Sequence, residues 1–210
     1  MLNFDNIKAY STEFPKTWSF LRTPEEANEI SQEHKDQIFF LNQEASEFVH
    51  IYIKSSKMVT GPLWKPFNER YFKTIEEFEV NENCESAIKK WLYNKPIPFD
   101  KYVFIDIDRS TQSVALTWKM VIKYWEGLFF ADDLIIFDET LNWGLFYFHE
   151  DRLYFGTDKI YDKEFEYEKT KALNELKEKF FKKDNSNIDD THKKNMIRDF
   201  KEKYDTNRIE

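Results

Sequence analysis

The sequence predicts an α+β domain: a central antiparallel β-sheet laid out as a meander of hairpins, helices on one face, and a charged helical C-terminal extension. Three observations carry this. Apolar residues recur at helical spacing up to about residue 100 and, the helix over 118–126 apart, at strand spacing from 102 to 155. The connections between successive strand candidates are too short to hold the crossover that a parallel pair requires. Aromatics make up 18% and hydrophobics 41% of the 210 residues, a composition that can fill a core, whereas disordered chains are aromatic-poor. The expected organisation is a single globular domain over 1–161 followed by an extension over 162–210.

The elements follow in chain order. Thr23-Pro24-Glu25-Glu26 is the first helix start, with Thr23 as cap, Pro24 at the first helical position and Glu26 closing the capping box. A helix over 43–56 carries Ala45, Phe48, Val49, Tyr52 and Ile53 on one apolar stripe. Gly61-Pro62 and Lys65-Pro66 break the chain into a loop that bears Trp64 and Phe67. A helix over 85–93 turns Ala87, Ile88, Trp91 and Leu92 inward and ends before Pro96 and Pro98. Residues 102–107 form a strand, 108–112 have turn chemistry, and 113–116 return as its partner. Residues 118–126 are helical, with Trp118, Val121, Ile122 and Trp125 expected to face a sheet centred on Phe104, Ile135 and Phe146. Strands follow at 134–137, 143–148 and 153–155. From Asp162 the pattern is helical and polar, with Leu173, Leu176 and Phe180 inward. Asp184-Asn185-Ser186-Asn187 interrupts it before a last helix over 193–204.

Composition narrows the function classes. The net charge is -8, which disfavours duplex DNA or an anionic membrane surface as partner and suits a basic protein. The acidity belongs to the body of the chain, since residues 161–210 are densely charged but balanced. Four glycines leave no Gly-rich phosphate cradle, and the single Cys84 excludes an intrachain disulfide and a cysteine-based zinc site. No apolar run approaches a membrane span, and the start of the chain lacks the apolar stretch of a signal peptide. The expectation is a cytoplasmic protein without a cofactor.

Several motifs invite a catalytic reading. Asp106-Ile107-Asp108 resembles the Asp-x-Asp opening of haloacid-dehalogenase-type phosphatases, which use one Asp as nucleophile, the second as acid/base and further carboxylates for Mg²⁺. A metal-dependent hydrolase built on Asp106, Asp108 and Asp132 is therefore the alternative reading. Against it, a hairpin follows the motif where that chemistry needs a crossover helix. The same run fails as a calcium loop, because Thr111 and Thr117 occupy the positions of the required Gly and Glu. Asp132-Asp133 and His149-Glu150-Asp151 match no known metal-ligand spacing and read as polar turns. Cys84, between Asn83 and Glu85, reads as a small buried or half-buried residue on a helix. Trp91, Trp118 and Trp125 fall on apolar stripes and read as core, while Trp64 on its Pro-flanked loop is the tryptophan expected to be exposed. The Lys/Glu-rich tail reads as a solvated helix.

Trp118, Trp125 seven residues later, Phe129-Phe130 and Asp132-Asp133 together resemble the C-terminal block of a family of small, uncharacterised bacterial proteins. That family shows Trp-x6-Trp, an aromatic run and Asp-Asp at these offsets. The lead-in at 102–117 and Trp18-x-Phe20 are similar as well. After Asp133 the chain departs, with Leu134-Ile135-Ile136-Phe137 where the family tends to have Gly and Pro. The resemblance implies fold and lineage. Small acidic α+β bacterial domains are also similar in style to the immunity proteins of polymorphic toxin systems. The expected function is thus a non-enzymatic binding protein that neutralises a cognate, basic toxin domain, with a housekeeping protein as a further alternative and neither nucleic acid nor membrane as partner. Its expected surface is Asp132, Asp133, Glu150 and Asp151 at one end of the 134–148 hairpin, Asp138 and Glu139 at the other, and Trp64.

Overall fold

In the strands from residue 102 onward, apolar side chains stand on both sides of the backbone, so both faces of their sheet demand a cover. The computed structural model describes residues 2–15, 30–62, 64–81, 83–107, 112–130 and 132–184. Trp18, Phe20, the Thr23 helix start, the 108–111 turn with Asp108, the 193–204 helix and the side chains of Leu176 and Phe180 lie outside what it describes.

In chain order the described elements are a 3₁₀ turn (Ile7–Tyr10), α1 (Gln32–Lys35), β1 (Ile38–Phe40), α2 (Gln43–Ser56), β2 (Phe72–Glu79), α3 (Glu85–Tyr93), β3 (Tyr102–Ile107) and β4 (Val114–Thr117). They continue with α4 (Trp118–Lys123), α5 (Trp125–Leu128), β5 (Leu134–Phe137), β6 (Gly144–Phe148), β7 (Arg152–Lys159) and α6 (Lys163–Asp184). The seven strands form one antiparallel sheet in the order β1-β4-β3-β5-β6-β7-β2. The α+β class and the antiparallel hairpin core are as expected. No described helix is long and apolar enough to cross a membrane.

Strand alternation sorts the core into two layers. Val103, Ile105, Ile107, Leu134, Ile136, Leu145, Tyr147, Leu153 and Phe155 join one cluster, covered by α3, α4 and α5 through Ile88, Leu92, Trp118, Val121, Trp125 and Leu128. Phe104, Ala115, Ile135, Phe137, Phe146, Phe148 and Tyr154 join the other, covered by α2 through Ala45, Val49 and Ile53 and by Phe165 of α6. Two expectations are corrected here. Helices cover both faces of the sheet, not one, because every residue of β4, β5 and β6 is buried. The Trp118 helix packs against the face of Ile105, Ile136 and Leu145, opposite to the face of Phe104, Ile135 and Phe146. Period-two spacing identifies the residues that share a face but not the helix that covers them. That helix also breaks at Tyr124 (φ -108, ψ 24) into α4 and α5.

Local chemistry sets the helix ends. Asn42 caps α2 by accepting from the Ala45 N–H at 2.9 Å, and Lys57 ends it in the left-handed region at φ 57. The Asp162 carboxylate accepts from the Glu164 and Phe165 N–H groups, both at 3.1 Å, at the start of α6. Those bonds, the Phe165 one foremost, and the Arg70 guanidinium 2.6 Å away hold Asp162 below the usual carboxylate range. Lys57–Glu168 at 2.8 Å adds a second tie between α6 and the body.

Lys169 of α6 is buried beside Tyr71, with Glu166 at 2.6 Å and Lys159 nearby. Burial pushes its pKa down to about 8, with Lys159 adding to the fall and Glu166 opposing it. Its ordinary value is 10.5, so between about pH 8 and 10 the unfolded chain holds a proton that the folded chain has released, and stability rises with pH there. Below that window the cost of burying the ammonium is present in full. The expected result is that Lys169→Met has the higher urea midpoint at neutral pH and that the gap narrows as pH rises to about 10. A gap independent of pH counts against this assignment.

Candidate functional site

The carboxylates predicted as a surface fall into two groups once the β5–β6–β7 meander is built. At one end, Asp138 is buried and structural. It accepts from the Thr140 N–H at 2.9 Å, from the Thr140 hydroxyl, and from Trp143 Nε1 at 3.1 Å. These bonds close the turn in which Leu141 takes φ 55. Glu139 beside it pairs with Lys101 at 2.5 Å, and its carbonyl accepts from the Tyr52 hydroxyl at 2.8 Å. This end is a set of internal ties with its charge met.

The other end is different. Asp133 is turned inward, and its Oδ1 lies 2.8 Å from both the His149 N–H and His149 Nδ1, which joins the start of β5 to the end of β6. Asp132, Glu150 and Asp151 stay exposed. Asp151 adopts φ 59 in the β6–β7 turn, accepts from the Tyr147 hydroxyl at 3.3 Å, and offers its carbonyl to the Val80 N–H at 2.8 Å. Burial foremost, and then Asp151, push the Tyr147 phenol well above its ordinary range.

That Val80 contact extends the acidic surface beyond what the turns alone predict. It brings the end of β2 alongside the β6–β7 turn, with Glu79 opposite Arg152 and Glu77 opposite Tyr154. Glu77, Glu79, Glu150 and Asp151 meet at this corner, and Asp132, at the start of β5 with β6 and β7 between it and β2, extends the acidic rim along the same end of the sheet. Arg152, 4.0 Å from Glu77, is its basic member. The Tyr154 phenol is raised by burial and, next in size, by Glu77, with Arg152 acting the other way. Glu77 and Glu79 have no counterpart among the predicted site residues. The available signal was the Phe72/Phe78 bracket around Thr74-Ile75, whose residue types favour a strand despite the glutamates.

Two neighbouring features complete the corner. Trp64 is 66% exposed on the loop after α2. That loop and the outer strands enclose a groove of about 490 Å³ with Pro62, Pro66, Phe67, Arg70, Ile75 and Tyr154 in its wall. On the far face of β2, Lys95 is buried 3.7 Å from the centre of the Trp91 ring and pairs with Glu76 at 2.5 Å. Burial lowers the Lys95 pKa, with Glu76 opposing. This cation, with Phe78 against Trp91 at 5.3 Å, holds a strand that buries little apolar surface of its own.

Of the residues of the hydrolase reading, Asp108 lies outside the described residues, and Asp106 and Asp132 stand on the neighbouring strand ends of β3 and β5. Asp106 sits on β3 with antiparallel neighbours on both sides, and it meets the Ser113 hydroxyl at 3.2 Å and His50 Nδ1 at 2.9 Å. Both contacts go to the carboxylate, so the histidine does not bridge serine and aspartate as a nucleophile-activating triad demands. Asp132 belongs to the rim at the start of β5. Among the described residues no group of three or more His, Cys, Asp or Glu is placed to hold a metal ion. In the aromatic block over 118–133, Trp118, Trp125 and Phe129 are buried, while Phe130 is 62% exposed. No family model, curated protein or solved structure matches the chain.

Proposed function

We propose that this is a non-enzymatic binding protein of the bacterial immunity type, which neutralises a basic toxin domain by direct contact. The observation that supports the reading is the rim of Glu77, Glu79, Glu150, Asp151 and Asp132, drawn from two chain segments and facing solvent. Gathered like charges weaken an isolated fold, whereas a basic partner converts them into attraction and rapid encounter. Carboxylates so placed also mimic the phosphates that a nucleic-acid-cleaving toxin would hold. The same reading puts the protein in the cytoplasm and keeps the lineage suggested by the Trp118 to Asp133 block.

The test is co-purification with the product of the adjacent gene, followed by binding kinetics at low and at physiological salt. The Asp132→Lys/Glu150→Lys variant is expected to associate about tenfold more slowly and with a flatter salt dependence, while dissociation changes little. An unchanged association rate would move the interface away from the rim.

A further inference from the structure

The two edges of the sheet are treated differently. At β1, Thr12 donates its N–H to the Phe40 carbonyl at 2.7 Å and Ser11 bridges Leu41, so the N-terminal segment already occupies the outer side. At the other edge β2 has, among the described residues, β7 alone as strand partner. Lys73, Thr74, Ile75, Glu76, Glu77 and Glu79 are all exposed along its 8 residues. A strand of this length at an edge presents a row of unpaired N–H and C=O groups, which is a template for another strand.

We infer that β2 receives an extended, basic segment of a partner protein, which adds to the sheet as a further strand. The inference rests on the reading of the protein as a binder of a basic domain, and it specifies where and by what backbone chemistry that binding occurs. Charge selects the occupant. Glu77 and Glu79 outnumber Lys73 on one face of the strand, Glu76 on the other face is met by Lys95, and Glu150 and Asp151 continue the acidity past its end. Lys or Arg at alternate positions of an added strand would stand opposite Glu77 and Glu79, which share one face of β2, a favourable cross-strand arrangement. A second copy of this chain is the poorer occupant, because its β2 brings three further glutamates against a single lysine and so no net basic counter-charge. An apolar side chain of the added strand opposite Ile75, on the same face as Glu77 and Glu79, has a place to go. The groove of about 490 Å³ flanks the edge, Ile75 in its wall is 44% exposed, and Trp64 is exposed on the loop that bounds it.

The test uses a short synthetic peptide of alternating Lys and Val, the same peptide with Glu for Lys, and a Lys-Val version methylated at alternate backbone nitrogens. Binding is read by fluorescence anisotropy, and strand addition by amide exchange along residues 72–79 in the full-length protein. The Lys-Val peptide is expected to bind and to slow exchange at alternate β2 amides, while the Glu-Val peptide does neither. Backbone methylation, and separately the Glu77→Lys/Glu79→Lys variant of these exposed positions, should each weaken binding about tenfold. Equal affinity of the methylated peptide, or binding with β2 exchange unchanged, overturns strand addition. Absence of binding by the Lys-Val peptide overturns it too. The effect of rim charges on the association rate is measured independently with the adjacent gene product. A lost rate effect with β2 protection intact therefore faults the toxin reading and not the strand.

Discussion

Replacement of Trp118 by alanine is expected to lower stability by about 3–5 kcal/mol, in the range for truncating a large buried aromatic. Trp118 is 0% exposed at the junction of β4 and α4, and it meets Trp143 edge-on with ring centres 5.8 Å apart. Trp143 in turn donates to the buried Asp138, so the cavity would open beside the turn that organises the β5–β6 hairpin. The indole N–H of Trp118 finds no acceptor among the described residues. Trp118→Phe should therefore cost clearly less than the alanine change. It removes volume but also removes a buried donor whose isolation costs about 1–3 kcal/mol. Urea midpoints for the two variants check both statements. Equal midpoints for Trp118→Ala and the parent would contradict the placement.

The second large effect is expected from adding a single methyl group. Gly156 lies on β7 between Gly144 of β6 and Ile75 of β2. A Cβ there would come 2.3 Å from Cδ2 and 2.6 Å from Cε2 of Phe72. The Phe72 ring cannot step aside, since Phe67 and Tyr71 press on it with ring centres 5.1 and 4.8 Å away. Gly156→Ala should cost about 2–3 kcal/mol, toward the upper end for an overfilled core. Phe72→Leu should recover part of that loss in the Gly156→Ala background although it destabilises the parent. Strictly additive losses in the double-mutant cycle would show that the two positions do not compete for space.

The parts of the fold that were legible in the sequence are those whose burial is local. Residues 43–56 and 85–93 announce themselves as helices because one stripe of each is apolar, and 102–107 and 134–137 announce themselves as strands because nearly every position is β-branched or aromatic. β1 and β2 are different. Ile38-Phe39-Phe40 is too short to show a period, and Phe72–Glu79 is mostly polar because it is an edge held by β7, Lys95 and Trp91 from elsewhere in the chain. The candidate site divides along the same line. Hairpin geometry alone puts Asp132 and Asp133 near Glu150 and Asp151, and Asp138 with Glu139 at the far end. It does not reveal that Asp133 and Asp138 turn inward, since that depends on His149 and Trp143. Nor does it bring in Glu77 and Glu79, which reach the rim only through long-range pairing.

The strand order also implies a history for each molecule as it forms. β3 with β4, and β5 with β6 and β7, are neighbours in sequence and can close quickly, whereas both outer strands come from the first half of the chain and must wait for distant partners. Synthesis runs the other way. The ribosome delivers Ile38–Phe40 and Phe72–Glu79 first, long before β4 and β7 exist to receive them. The expected transition state is therefore a C-terminal meander with unattached flanks, with φ-values near zero along 72–79 and high along 134–155. The glutamates of β2 then have a second use during this interval, keeping a nascent strand soluble until its neighbour is made.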